Sequence, residues 1–176
     1  MPQRYPPSAG NQSGSLEVTI MDKTAAPEAI KRSLLAECKK YVNRRIENAQ
    51  EAIAAASDAA ADDTKSSAGD KFETTREMMQ QELNRHRQLL ADAKRMEEVL
   101  HNLDIRLHDG PAKLGSLVTT NHGIFFIAIS AGQLQINGRP YWVISPVSPL
   151  GQRLVGMKTG EQVSFNSTTY AINGIT

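Results

Sequence analysis

From Pro27 onward, apolar and small residues recur at spacings of three and four, and the pattern breaks only once before residue 110. In the first stretch the positions are Leu35, Cys38, Val42, Ile46, Ala49, Ile53, Ala56 and Ala60. In the second, Phe72, Met79, His86, Ala93, Leu100 and Leu107 return every seven residues, with Thr75, Leu83, Leu90, Met96 and Leu103 at the adjacent positions. Each stretch predicts one amphipathic helix, on the order of 50 Å long at 1.5 Å per residue. That is too long for the edge of a small globular unit. Two such helices joined by a short linker are expected to fold back as an antiparallel coiled-coil hairpin over residues 27–109. The break, "DDTKSSAGDKFE" from Asp62 to Glu73, becomes its tip near residues 62–70. Pro27 and Glu28 suit the first helix, because proline lacks only a donor that is unpaired there and an acid favours the positive helix end. Gly110-Pro111 is expected to end the second helix.

Charge and composition exclude several classes. The formal net charge is +1 over 176 residues, so no global basic field argues for direct, sequence-specific binding of nucleic acid. One cysteine, Cys38, rules out an intramolecular disulfide framework, and no apolar run approaches a membrane span. The expectation is a soluble, cytoplasmic monomer. Residues 1–26, which include "PQRYPPSAGNQSGS", have too few periodic apolar positions for a core and are expected to be a disordered tail, although "LEVTIM", Leu16 to Met21, has the alternation of a strand.

Beyond residue 110 the period changes from helical to alternating. "SLVTT", a turn at Asn121-His122-Gly123, "IFFIAI", "QLQI", the hairpin dipeptide Asn137-Gly138 and "YWVI" read as strands and turns. "SPVSPLGQRLVG" has room for one short helix before the closing strands "EQVSF" and "TTYAINGI". The fold class is therefore α+β, with a helical hairpin followed by a small sheet packed around one helix over residues 110–176.

Isolated reactive side chains have bland explanations. Cys38 lies on the apolar stripe and reads as a buried small hydrophobe, and His86 as a packing or register residue. His101 and His108 are seven apart with no further ligand at zinc spacing. Met78 and Met79 read as flank and core. Asp62 and Asp63 can solvate a helix end, while Asp70 with Glu73 three residues on has the spacing of a capping box.

The segment "SPLGQRLVGMKTGEQVSFNSTTYAINGI" resembles the C-terminal domain of the bacterial Gre transcript-cleavage factors. The matching positions are Ser148, Pro149, Leu154, Gly156, Lys158 after one inserted residue, Gly160, Glu161, Val163, Phe165, Tyr170 and Ile172. With a hairpin of the right length preceding it, the resemblance spans about Pro27 to Thr176. It implies an FKBP-like C-terminal domain that docks at the rim of the RNA polymerase secondary channel, while the hairpin carries its tip to the polymerase active site. Ser148, Pro149, Leu154, Gly156 and Lys158 are then docking candidates. Asp62, Asp63, Ser67, Asp70 and Glu73 are candidates at the tip. The resemblance implies no cofactor of the protein's own and no enzymatic activity beyond stimulating the polymerase's RNA cleavage, with Asp62 and Asp63 as the acids able to share its Mg²⁺. When "FETTRE" is set against the segment after the tip in cleavage-competent factors, Phe72, Arg76 and Glu77 match and Ser67 takes the tip serine, but the family's acidic pair falls on Lys65 and Ala68. Cleavage stimulation and non-cleaving regulation from within the channel both remain open. Two further readings are a prolyl isomerase or chaperone and a coiled-coil adaptor.

Overall fold

The computed structural model describes the backbone of residues 26–63 and 70–176, and the side chains of 26–59 and 73–176. The expected tail and its strand-like run "LEVTIM" lie outside the described residues. Two long helices come first, α1 (Pro27–Asp63) and α2 (Asp70–His101). Six strands and one short helix follow: β1 (Leu117–Thr120), β2 (Gly123–Ile127), β3 (Gly132–Ile136), β4 (Arg139–Ile144), α3 (Pro149–Leu154), β5 (Gln162–Phe165) and β6 (Thr168–Ile175). The class is α+β, with two N-terminal helices followed by a mixed sheet.

The helices run antiparallel. Val42 shares a cavity wall with Leu100, whereas Ala49, further along α1, shares one with His86 and Leu89, earlier on α2. The stripe that α1 buries is Ile30, Leu34, Cys38, Val42, Ile46 and Ala49. It begins one turn earlier than the sequence pattern indicates, and Leu34 is fully buried where Leu35 was expected to be, Leu35 being only half-buried. The reason is tertiary: the base of α1 packs against a sheet as well as against α2, so the buried face rotates toward the sheet. On α2, Leu83, Ala93 and Leu100 are buried and Met79, His86, Leu90 and Met96 are partly so, but Thr75 is exposed. The Ala60 and Phe72 side chains lie outside the described residues.

The second helix stops at His101, eight residues before the expected end, and Leu107 is 48 % exposed. Local polar bonds outcompete further helical turns here. Asn102 bonds the Glu98 carbonyl through its backbone N–H and through its side chain, and the Asp104 carboxylate accepts from the Arg106 N–H at 3.0 Å and from its guanidinium. The chain then turns into β1, with the Gly115 N–H donating to the Ile127 carbonyl at 2.8 Å. Gly115 is required in this stretch, because its φ is +88° and a Cβ there would stand 1.9 Å from the Asp104 carbonyl oxygen.

Strand order is β3-β4-β2-β1-β6-β5, antiparallel throughout except for the parallel β2–β4 pair. The expected hairpin dipeptide occupies the β3–β4 turn, with Asn137 at φ 52° and Gly138 at φ 77°, the left-handed values that a two-residue hairpin needs. A second such turn joins β5 to β6 through Asn166 and Ser167, both at positive φ.

Adjacent residues of β1 and β2 point to opposite faces and enter two cores. Leu117, Phe126, Tyr141 and Val143 pack with Ile30, Leu34, Cys38 and Leu100 in a core shared with the helical hairpin. Val118, Phe125, Ile127, Ile172 and Ile175 pack with Leu154 of α3 in the other. Both faces of the sheet are therefore covered near its centre, which is why "IFFIAI" is a continuous apolar run. The sequence reading anticipated only the cover provided by the short helix. The hairpin base is the other.

Leu34→Ala should cost about 2–5 kcal/mol by urea unfolding, because it opens a cavity between hairpin and sheet. Ser167→Gly should add roughly 0.5–1 kcal/mol in the same assay, by relieving a left-handed backbone at a residue with a Cβ.

Candidate functional site

Two regions follow from the sequence reading, the far end of the hairpin and the junction where the hairpin meets the sheet. At the far end, the backbone places Asp62 and Asp63 in the last turn of α1 and Asp70 at the first position of α2. Their side chains, and all of Ser67 and Lys65, lie outside the described residues. Glu73 is exposed on α2. The cavity bounded by Arg45, Asn48, Ala49, His86 and Leu89 is lined by the two helices alone, so the hairpin beyond it is a two-helix rod. Residues 46–63 account for about 27 Å of that rod at 1.5 Å per residue. His86 Nε2 lies 3.1 Å from a Glu82 carboxylate oxygen, one turn away, which accounts for a histidine on the packing stripe.

At the junction a cleft of about 420 Å³ opens between the helices and the end of the sheet. Met96 and Val99 of α2 form one wall, and Leu114, Ala128, Ile129, Pro146 and Val147 form the other. Arg45, Asp92 and Arg95 edge it, with Arg95 paired to Asp92 and Arg45 bonded to the Tyr41 hydroxyl at 2.9 Å. Val147 is 75 % exposed and Leu114 38 %, so the lip of the cleft offers apolar side chains to solvent.

The docking candidates divide by role. Ser148 is the N-cap of α3: its Oγ accepts from the Gly151 N–H at 3.1 Å and donates to the Ser145 carbonyl at 2.7 Å. Pro149 occupies the first helical turn, where its missing donor has no cost. Gly151 sits against that same carbonyl; a Cβ on it would approach the Ser145 oxygen to 2.0 Å. Leu154 is fully buried in the α3 core. Gly156 is exposed at φ +86° and donates to the Ala112 carbonyl at 2.7 Å. Lys158 is exposed, and its backbone N–H is held by the Glu161 carboxylate at 2.7 Å. Ser148 and Pro149 thus adjoin the cleft through Val147, whereas Leu154 builds the helix that presents them. Cleft residues Met96, Val99, Leu114 and Val147 were not legible as a site, since each reads as an ordinary core or loop residue until the two units are brought together.

Polar groups beneath the same junction were missed for a similar reason. Lys31 is fully buried, and its Nζ donates to the Arg106 carbonyl at 3.2 Å. Burial pushes its pKa down, with Asp104 opposing and Lys113 adding to that shift. Ser116, also fully buried, accepts from the Lys113 N–H at 2.9 Å and lies 2.7 Å from His108 Nε2. With one lone pair already used, the Ser116 hydroxyl is best served by donating to a neutral ring. Burial chiefly, then the nearby positive charges of Lys113 and Lys31, hold the His108 pKa below its usual value against the opposing carboxylates of Asp109 and Asp104. The Cys38 thiol is pushed up to about 12, mainly by burial, and is inert. Among the described residues no cluster of His, Cys, Asp and Glu has the arrangement of a metal site. No helix among them is long and apolar enough to cross a membrane.

Comparison with known protein families, with curated proteins and with solved structures finds no match to this chain.

The His108 ring makes acid stability predictable. Because its folded-state pKa is depressed, the neutral ring's contribution is complete above its unfolded value of about 6.5 and is lost as pH falls through the lower folded value. The thermal unfolding midpoint should drop across that window, and His108→Gln should flatten that part of the slope; calorimetry at a series of pH values measures both.

Proposed function

We propose that this protein is a regulator of RNA polymerase of the Gre type, whose hairpin is a coiled coil that enters the secondary channel while an FKBP-like sheet domain docks at the rim. The observation that carries the reading is the order and form of the parts: a two-helix rod that shares a hydrophobic core with a small sheet unit bearing the "SPLGQRLVG" helix. A rod of packed helices carries side chains into a narrow pore without the ordering cost of a flexible loop of the same length. The apolar cleft beside Ser148 and Pro149, with Val147 and Leu114 at its lip, supports docking on a protein surface at the base of the rod. The rod and the docking face would then act together, one setting how deep the other reaches.

Action at the polymerase active site would fall to the tip. Asp62 and Asp63, or Asp70, are the acids available there to share the polymerase's Mg²⁺ and orient a water for cleavage of backtracked RNA. The family's acidic pair aligns instead with Lys65 and Ala68, which favours a second reading: a non-cleaving regulator that occupies the channel. Prolyl isomerisation is disfavoured by the fate of the aromatic residues. Phe126 and Tyr141 are buried beneath the hairpin, while Phe125 and Trp142 share the opposite face, so the four do not line one pocket.

The test is binding to purified cognate polymerase, followed by RNA cleavage in an artificially backtracked elongation complex. Val147→Asp should weaken binding at least about tenfold if the cleft docks on polymerase. Cleavage stimulated by the wild type and abolished by Asp62→Asn, Asp63→Asn or Asp70→Asn, with binding retained, identifies a cleavage factor. Binding without cleavage identifies the channel regulator, and no binding overturns both readings.

A further inference from the structure

The sheet ends at β3, and its outer side has no neighbouring strand among the described residues. In the β3–β4 register, Ile136 and Arg139 close a two-residue hairpin and Leu134 faces Tyr141 as the next hydrogen-bonded pair. Gln133 and Gln135 are the alternate positions, so their backbone N–H and C=O groups point outward from the sheet. Pro140, opposite Gln135, makes the same register workable: its absent N–H falls on the β2 side, two residues before β2 pairing begins at Trp142.

An open edge of this kind is normally blunted by a lysine, a proline, an inward charge or a bulge. The β3 sequence Gly-Gln-Leu-Gln-Ile contains none of these, and its pairing with β4 is regular over all five residues. The two sides of the strand also differ. Leu134 and Ile136 face the hairpin core, with Leu134 only partly buried, while Gln133 and Gln135 are exposed on the other side. A strand laid along this edge would bury apolar side chains next to Leu134 and keep polar ones next to the glutamines.

We propose that the free edge of β3 is the docking site of the chain's own segment Leu16 to Met21. The segment Leu-Glu-Val-Thr-Ile-Met has the required alternation: Leu16, Val18 and Ile20 on one side, Glu17 and Thr19 on the other. Added to β3, the first set extends the core shared with α1, and the second lies beside Gln133 and Gln135. Tether length supports this occupant. The chain outside the described fold joins it at Ala26, one residue before α1, and Ile30 in the first turn of α1 belongs to the same core as Ile136 and Leu134 of β3. Only residues 22–25 separate the segment from Ala26, a reach of roughly 13 Å, so the effective concentration of the segment at this edge far exceeds that of any free partner. The other sheet edge, β5, packs on α3 and has no such tether. Docking would close the edge that β3 otherwise leaves open to association between copies.

Amide hydrogen exchange on the full-length protein tests this directly, with Val18→Pro and Ile20→Asp as two independent variants outside the described fold. In the wild type, the Gln133 and Gln135 amides should exchange at least about tenfold more slowly than in either variant, while the Phe126 and Val143 amides, deep in the sheet, stay unchanged. Equal exchange in wild type and variants overturns the proposal. So does protection that disappears on about a hundredfold dilution, which would assign the edge to a second copy of the chain. Because the readout involves no polymerase, this proposal and the functional reading stand or fall separately.

Discussion

Phe125 and Phe126 are neighbours in β2 whose side chains must leave on opposite sides of the sheet, and the architecture follows from the need to bury both. Each ring buried is worth on the order of 2–3 kcal/mol relative to exposure in water, so a sheet with this strand at its centre requires a cover on each face. On one face the cover is α3, seated by its Ser148 cap and by a glycine that lets the Ser145 carbonyl approach. On the other it is the base of the hairpin, whose far end extends past the shared core. The hairpin therefore has two duties divided along its length: near Ile30 and Leu34 it closes a core, and beyond Ala49 it is a rod.

That division gives the rod a fixed root. The core shared by α1, α2 and the sheet is continuous, and the polar groups beneath it are tied down: Lys31 to the Arg106 carbonyl, and Ser116 between Lys113 and His108. Buried polar groups held this way favour one arrangement over slightly shifted ones, because a shift leaves a donor without an acceptor in a low-dielectric setting. For a protein whose proposed work is to set the depth of a tip by docking at a base, a rigid root is the property that matters. The apolar cleft beside it is a consequence of the same geometry, since a helical rod leaving a flat sheet opens a re-entrant angle where they part.

The hairpin, its break, the alternating strands, the Asn137-Gly138 turn and the short helix after "SPV" were all legible before the structure, because each is specified by residues close together in the chain. The errors came where distant parts meet. Helical spacing selects Leu35, not Leu34, because spacing alone cannot tell which side of α1 will find a sheet. Gly110-Pro111 is a helix stop by local chemistry, yet Asn102 and the Asp104–Arg106 pair end α2 earlier. Nothing local marks Lys31 for burial, since its acceptor is a carbonyl 75 residues away. Within the motif, Ser148 and Pro149 start α3 as local turn chemistry indicates, whereas Leu154 is a core residue, which only the packing of α3 on the sheet decides.

By itself, then, the sequence determined the elements and their order: two helices of unequal character around one polar break, then a sheet of short strands with its turns. Periodicity and turn chemistry act over a few residues and are written locally. Only the tertiary structure decided which helix face is buried, that the sheet is covered on both sides, where the polar groups of the junction find partners, and that a cleft lies next to Ser148 and Pro149. Those outcomes depend on contacts between segments far apart in the chain, and no local pattern encodes them.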